Sequence, residues 1–274
     1  MIGSNVSADF RLLGIASLLF TQAVSAHPPT TPGTKNSVNF SASKITNTSY
    51  KDTNFSSFKP LITLNLSPTF IRAGRAQTIT LLPPFQNHYT VTKRSQDNFE
   101  GGVFLGADHS LTEKFVAQLG IAGYWANSVT TKGVVWQFAL PEFDNFTYRY
   151  HLQHSRIMAA GKLFTTVKQR FHPYLTAEIG ASSNRAKDYQ EIPVIEEAVP
   201  MAPFTSHRQT SFAYGVGAGL DVNVSSKSRL GLGYQFVDLG KTSLGLSPAQ
   251  ATNETLTLRH LYCNQIRVQL TYIV

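Results

Sequence analysis

The sequence predicts an all-β fold, an eight-stranded antiparallel transmembrane up-and-down β-barrel with short periplasmic turns and long extracellular loops. Three observations lead to this prediction. Apolar and polar residues alternate with a period of two in eight segments of roughly ten residues, and no helical period is sustained. Short and long connections alternate along the chain. The polar face of several segments consists largely of glycine and other small residues.

The composition limits the class of protein. Charged residues make up 15% of the chain, against about 25% in a typical soluble domain. Beyond the N-terminus, no apolar run approaches the roughly 18 residues of a spanning helix, which excludes a helical membrane protein. The single cysteine, Cys263, excludes an intramolecular disulfide framework and a cysteine-based zinc site. The net charge of +8 comes from scattered basic residues, so we expect anionic lipid headgroups rather than nucleic acid as partners.

The N-terminus has the features of a cleaved signal peptide. A basic residue precedes an apolar run at residues 12–20, and Val24 and Ala26 supply the small residues before a cleavage site. The alternative, an uncleaved anchor helix, is disfavoured because the run is too short to span a bilayer. A stretch rich in Ser, Thr, Asn and Pro follows and has the composition of a flexible segment. The predicted organisation is a signal peptide at 1–26, a flexible periplasmic leader at 27–58 and a transmembrane barrel at 59–274.

The eight predicted strands are residues 61–70, 99–111, 115–125, 143–164, 171–181, 212–224, 229–236 and 265–274. The first three alternate without interruption. Ile62 and Leu64 of the first strand lie opposite Thr63, while Leu105 of the second and Ile121 of the third face glycine or polar neighbours. Each segment therefore has one apolar and one polar face.

The fourth segment is long and its two halves are out of phase. Phe146 and Tyr148 stand at even positions in the first half, whereas Ile157 and Leu163 stand at odd positions in the second. If one face is apolar throughout, an extra residue must separate the halves. We therefore expect a β-bulge near residues 152–155.

The last four strands repeat the alternation. The fifth sets Leu175 and Ile179 opposite Glu178, and the sixth, within "YGVGAGLDVNV", sets apolar residues opposite glycine and Asp221. The seventh sets leucine and aromatic residues opposite arginine, glycine and glutamine. The eighth sets isoleucine, valine, leucine and tyrosine opposite glutamine, threonine and Arg267. The predicted long loops between strands are residues 71–98, 126–142, 182–210 and 240–257.

Two barrels could produce this alternation. A soluble barrel turns its apolar face inward, whereas an outer-membrane barrel turns it toward lipid. On a water-facing surface, glycine offers the fold no packing advantage. Inside a narrow eight-stranded barrel, it makes room for larger neighbouring side chains. The second reading is therefore favoured, and it predicts that aromatic residues near strand ends form interfacial girdles. These are Trp125, Phe171, Tyr234, Phe236 and Tyr272.

On this reading the lumen holds charges of both signs, which must pair if they are buried. The predicted lumenal network comprises Glu100, Asp108, Lys162, Glu178, Asp221, Arg229 and Arg267, with Arg156 a weaker candidate beside the expected bulge. Such a network would fill the lumen as a plug. The alternative is a selective ion path.

The segments "NQIRVQLTYIV" and "YGVGAGLDVNV…RLGLGYQFVDLG" resemble the small outer-membrane barrel proteins of Gram-negative bacteria, the group of the OmpA membrane domain, OmpX and OmpW-like surface proteins. The resemblance covers roughly residues 59–274 and implies a bacterial outer-membrane location. It also implies that the barrel-assembly machinery reads alternate apolar residues of the last strand, here Val268, Leu270 and Tyr272. The terminal Val274 departs from the aromatic residue usual in the group. We expect no periplasmic domain after the barrel.

No catalytic site, cofactor site or metal site is predicted. In "DHS" (108–110) and "QHS" (153–155), His and Ser are adjacent and so lie on opposite faces of a strand, and the histidines are too dispersed for a metal motif. A protease site in the loops would need Asp and His near the rim, which the sequence leaves open. We therefore expect a non-enzyme.

The predicted function is that of a surface protein with a structural or adhesive role, exerted through its long loops. A host-surface ligand is a candidate partner, as is lipopolysaccharide, whose phosphates arginine binds well. The candidate lipopolysaccharide contacts are Arg72, Arg75, Lys93 and Arg94. The alternative is a narrow passive channel for small solutes or small hydrophobic molecules. A lipid-modifying or proteolytic barrel enzyme is a less favoured third interpretation.

Overall fold

The computed structural model describes residues 58–167, 170–201, 203–248 and 250–274. The predicted signal peptide and all but the last residue of the predicted leader lie outside the described residues. Among those residues, no helix is long and apolar enough to cross a membrane.

The described residues form fifteen strands and two single-turn 3-10 helices. The strands are β1 (Lys59–Arg72), β2 (Gln77–Leu82), β3 (Phe85–Tyr89), β4 (Ser95–Ser110), β5 (Phe115–Ala126), β6 (Val129–Trp136), β7 (Phe146–Thr165), β8 (Phe171–Pro193), β9 (Phe204–Thr205), β10 (His207–Asn223), β11 (Ser228–Asp238), β12 (Thr242–Ser243), β13 (Gly245–Leu246), β14 (Thr257–Leu258) and β15 (Tyr262–Ile273). The 3-10 turns are Gln137–Ala139 and Pro141–Phe143.

Eight long strands form a closed antiparallel ring. Their order is β7-β5-β4-β1-β15-β11-β10-β8, and pairing of β8 with β7 completes the circle. The first and last strands pair directly, with Leu66 opposite Val268. The predicted eight-stranded antiparallel barrel is confirmed.

The outer and inner faces of the ring have opposite polarity. On β1, Leu66 is 52% exposed, whereas its neighbour Asn65 is 2% exposed. The same pattern continues around the barrel, where Leu105, Ile121 and Leu175 point outward. A continuous belt of exposed apolar side chains around a polar interior is the arrangement that lipid requires and water disfavours.

Glycines of the inner face make room for aromatic rings. A Cβ atom added to Gly102 would overlap the Tyr124 ring. A Cβ atom added to Gly219 or Gly233 would likewise overlap the hydroxyl of Tyr174. The lumen is thus filled by a few large side chains, each seated against residues that have none.

The prediction of a β-bulge near residues 152–155 is wrong. β7 alternates without interruption, and all its even-numbered residues from Phe146 to Phe164 point inward. The register shift lies further up, between Arg149 and His151, opposite Asp188 of β8, which has a φ of 55°. The two halves seemed out of phase because the apolar residues face inward, into a protein core, in the first half of the strand and outward in the second half, where Ile157 and Leu163 are exposed.

Much of the sequence predicted as long loops also forms strands. β2, β3 and β6 extend the sheet from β7, and β8 continues to Pro193, so the intervals 71–98, 126–142 and 182–210 are only partly loop. Their inward side chains are apolar. These side chains form an apolar core above the membrane belt. The core includes Tyr89, Tyr148, Tyr189, Phe204, Leu239 and Leu261. We call this cluster the extracellular cap.

Candidate functional site

The lower lumen holds two ion pairs between strands that are not adjacent in the barrel. Lys162 Nζ of β7 lies 3.0 Å from Asp221 Oδ2 of β10 and donates a hydrogen bond of 2.7 Å to Gln269 Oε1 of β15. Nearer the periplasmic end, an Arg229 guanidinium nitrogen lies 2.7 Å from Asp108 Oδ2. These contacts tie β4, β7, β10, β11 and β15 together across the lumen.

The upper lumen holds two further pairs around Tyr124. Arg267 donates to Glu178 Oε1 at 2.7 Å, and the Tyr124 hydroxyl donates to the same oxygen at 2.8 Å. Arg156 donates to Glu100 Oε1 at 2.8 Å, and its guanidinium lies 4.2 Å from the centroid of the Tyr124 ring. The Tyr124 ring and its two guanidinium neighbours therefore fill the centre of the barrel.

Glu100 has two more partners. His154 Nε2 lies 3.1 Å from its Oε2, and Gln265 Nε2 donates to its Oε1 at 2.8 Å. This carboxylate is thus surrounded by donors, as a buried charge must be.

The structure places all seven predicted lumenal residues inside the barrel, each in an ion pair. Arg156 completes the set, so four carboxylates face four cations. Sequence reasoning missed His154, because the bulge expected beside it obscured its face. Uninterrupted alternation through β7 would have found it. Removing one member of a buried pair costs about 3–5 kcal/mol.

The lumen leaves little space for solute. A cavity lined by Asn65, Tyr124, Glu178 and Arg267, among others, has a volume of about 20 Å³, which suffices for roughly one water molecule. The extracellular cap lies above this level. Paired charges therefore occupy the barrel within the membrane, and an apolar core occupies it above.

A second feature is a basic cleft on the outer flank of the extracellular end. Its lower hollow, about 680 Å³, is lined by Arg72, Arg94, Arg259, His260 and Tyr262, among others. An upper hollow of about 850 Å³ is lined by Gln77, Lys241 and Thr257, among others. Arg75, Ala76 and Arg259 line both hollows, so together they form one cleft.

Three of the four predicted lipopolysaccharide contacts, Arg72, Arg75 and Arg94, lie in this cleft. Lys93 does not line it, and its ammonium group lies 3.2 Å from Asp97. Sequence reasoning missed Lys241, Arg259 and His260, because they follow strands remote in the chain and reach the cleft only through the pairing of β15 with β1.

His260 is oriented by a buried carboxylate. Its Nδ1 lies 2.7 Å from Asp238 Oδ2, and its ring stacks on Tyr262 at 5.4 Å between centroids. The imidazole is about half exposed while Asp238 is buried. This leaves Nε2 as the ring nitrogen available to a ligand. Among the described residues, no group of three or more His, Cys, Asp or Glu side chains could hold a metal ion.

The last strand presents its apolar residues to the membrane. Val268, Leu270 and Tyr272 of β15 all point outward, and Val274 follows the strand end with its N–H donating to the carbonyl of Pro60 at 2.9 Å.

A closed barrel with an apolar exterior and a lumen of paired charges defines an outer-membrane β-barrel protein, and the bacterial outer membrane is its location. No family model and no curated protein matches the chain. Among solved structures it is similar to the outer membrane protein OprG from Pseudomonas aeruginosa, with 13% identity and a TM-score of 0.45 over 79% of this chain and 97% of that one. It is also similar to the outer membrane protease OmpT from Escherichia coli (11% identity, TM-score 0.42, 80% and 99% covered) and to Neisserial surface protein A (10%, 0.39, 78% and 97%). At these identities the likeness concerns the fold alone.

Proposed function

We propose that this chain is a non-conducting surface protein of the outer membrane, whose function is exerted by its extracellular end. The observation that carries the proposal is that paired charges fill the barrel within the membrane and that the extracellular cap fills it above. An ion crossing the barrel would have to break buried pairs such as Arg267–Glu178 and then cross the extracellular cap. Both steps are costly. The proposal includes no enzymatic activity.

The extracellular tip supports an interaction role. Phe85, Phe138 and Phe143 form edge-on ring contacts at 5.6 Å, yet each is more than 40% exposed. Phe138 and Ala139 have φ values of 56° and 57°, a conformation that costs energy in residues other than glycine. Exposed aromatic rings held in this way are typical of binding surfaces. Cells displaying F138S/F143S should therefore adhere less to host surfaces than cells displaying the unaltered barrel.

We also propose that the last strand, β15, directs insertion of the barrel into the membrane. The outward alternation of Val268, Leu270 and Tyr272 supports recognition by the barrel-assembly machinery.

Conductance across planar bilayers tests the proposed function. We expect the purified, refolded barrel to give no stable current steps at either polarity, with a known porin as the positive control. Discrete, reproducible steps would overturn the proposal in favour of a narrow channel. A variant with smaller lumenal side chains, R156A/E100A, tests the contribution of the lumenal ion pairs separately from that of the extracellular cap. It should remain closed because the cap is intact.

A further inference from the structure

We propose that the basic cleft binds the phosphate groups of a phosphorylated saccharide, and that the headgroup of an outer-leaflet glycolipid supplies it. This inference rests on the proposed function, since it assigns a ligand class to the extracellular end of a closed barrel. Its residues are Arg72, Arg75, Arg94, Lys241, Arg259 and His260.

Of the described cleft residues, His260 has a carboxylate partner in Asp238, whereas the arginines have none. Among the ion pairs of the described residues, none involves Arg72, Arg75, Arg94 or Arg259. The described residues that line the two hollows include no aspartate or glutamate. Guanidinium groups form paired hydrogen bonds to phosphate oxygens. Several such groups in one concave surface therefore favour a ligand with more than one phosphate.

The cleft lies at the level where lipid headgroups begin. Phe70 of β1 faces outward and is 45% exposed, at the upper part of the apolar belt. Arg72 is on the same face two residues further along β1, about 7 Å along the strand in the extracellular direction. Ser95, which also lines the cleft, pairs with Arg72 across the β1–β4 ladder. A phosphate attached to a lipid would reach this position without leaving the membrane surface.

The size of the cleft suits a saccharide. The two hollows, about 680 and 850 Å³, adjoin at Arg75 and Arg259, and typical ligand sites measure about 300–1,000 Å³. Tyr262 adds an aromatic wall, and Gln77, Thr78 and Thr257 add polar groups suited to sugar hydroxyls. A bare phosphate ion would use only a small part of this surface.

Binding of lipopolysaccharide to the refolded full chain in detergent tests the inference. The probes are lipopolysaccharide with its lipid A phosphates, the same material after enzymatic dephosphorylation, and inorganic pyrophosphate. The test variant is R72A/R259A, and the matched control is K132A/R149A, which removes two exposed charges outside the cleft. Heat-dependent mobility on gels verifies that each variant is folded.

We expect R72A/R259A to bind phosphorylated lipopolysaccharide at least tenfold more weakly, and K132A/R149A to bind within twofold of the unaltered chain. Dephosphorylation should weaken binding to a similar extent. Equal binding by the two double variants, or indifference to dephosphorylation, would overturn the phosphate assignment. Pyrophosphate binding as tight as that of lipopolysaccharide would overturn the lipid as source. None of these outcomes bears on conductance, so failure here is separate from failure of the closed-barrel proposal.

Discussion

At the residue scale, the barrel depends on a match between large lumenal side chains and the spaces made for them. Tyr124 illustrates this, because its ring lies over Gly102 while its hydroxyl donates to Glu178. The guanidinium groups of Arg156 and Arg267 also lie over the ring, 4.2 and 4.9 Å from its centroid. Such cation–π contacts strengthen where water is excluded. Glycine at position 102 is thus required by the packing of a neighbour.

Neighbouring glycines of β4 allow a direct test. A Cβ atom at Gly102 would overlap Tyr124, whereas a Cβ atom at Gly101, on the outer face, would meet nothing within 4 Å. We expect G102A to lower the free energy of unfolding by about 1–3 kcal/mol and G101A to change it by less than about 0.5 kcal/mol. Urea titration of the barrel in vesicles, read by gel mobility, measures both. Equal effects would contradict the packing argument.

At the element scale, β7 and β8 each serve two environments. Their lower halves line a charged lumen, and their upper halves line the extracellular cap. Near the end of β8, Glu191 accepts a hydrogen bond of 2.6 Å from the Tyr189 hydroxyl. Burial raises the pKa of Glu191, although the bonds from Tyr189 and from the Met201 N–H oppose the rise.

This carboxyl makes the stability of the cap depend on pH. A carboxyl whose pKa is higher in the folded state binds more protons there than when unfolded, so its contribution is greatest at low pH. It is lost as the pH rises from the ordinary value of 4.5 through the raised one. We expect proteolysis of the 194–201 loop to be slower at pH 4 than at pH 8. Limited digestion of the folded barrel measures the rates.

The E191Q variant is the control for this prediction. It should show slow digestion at both pH values once protease activity is normalised with a denatured substrate. A pH dependence that persists in E191Q would assign the effect to another group.

At the scale of the whole molecule, closure of the ring removes every free edge from the eight long strands. A closed barrel resists detergent because no strand can separate without breaking two ladders of hydrogen bonds. The pairing of β1 with β15 makes this closure depend on contacts between the two ends of the described barrel.

Gel mobility before and after heating follows from this closure. We expect unheated protein to migrate faster in detergent than heated protein, because the compact barrel persists until it is boiled. Absence of a shift, with the protein recovered from the soluble periplasmic fraction, would mean that the apolar face points inward and that a ligand should be sought inside.

The strand number, the antiparallel order and the outward direction of the apolar face were predictable from sequence, because a period of two is a local property of each strand. The lumenal acids and bases were predictable for the same reason. Their partners were not, since Arg229 of β11 and Asp108 of β4 meet only across the closed ring. The extracellular cap was not predictable either. An apolar strand face turns outward to lipid at the level of the membrane, as at Ile157, but inward to a protein core above it, as at Tyr148. Only the height of the residues relative to the membrane, which tertiary structure sets, decides between the two.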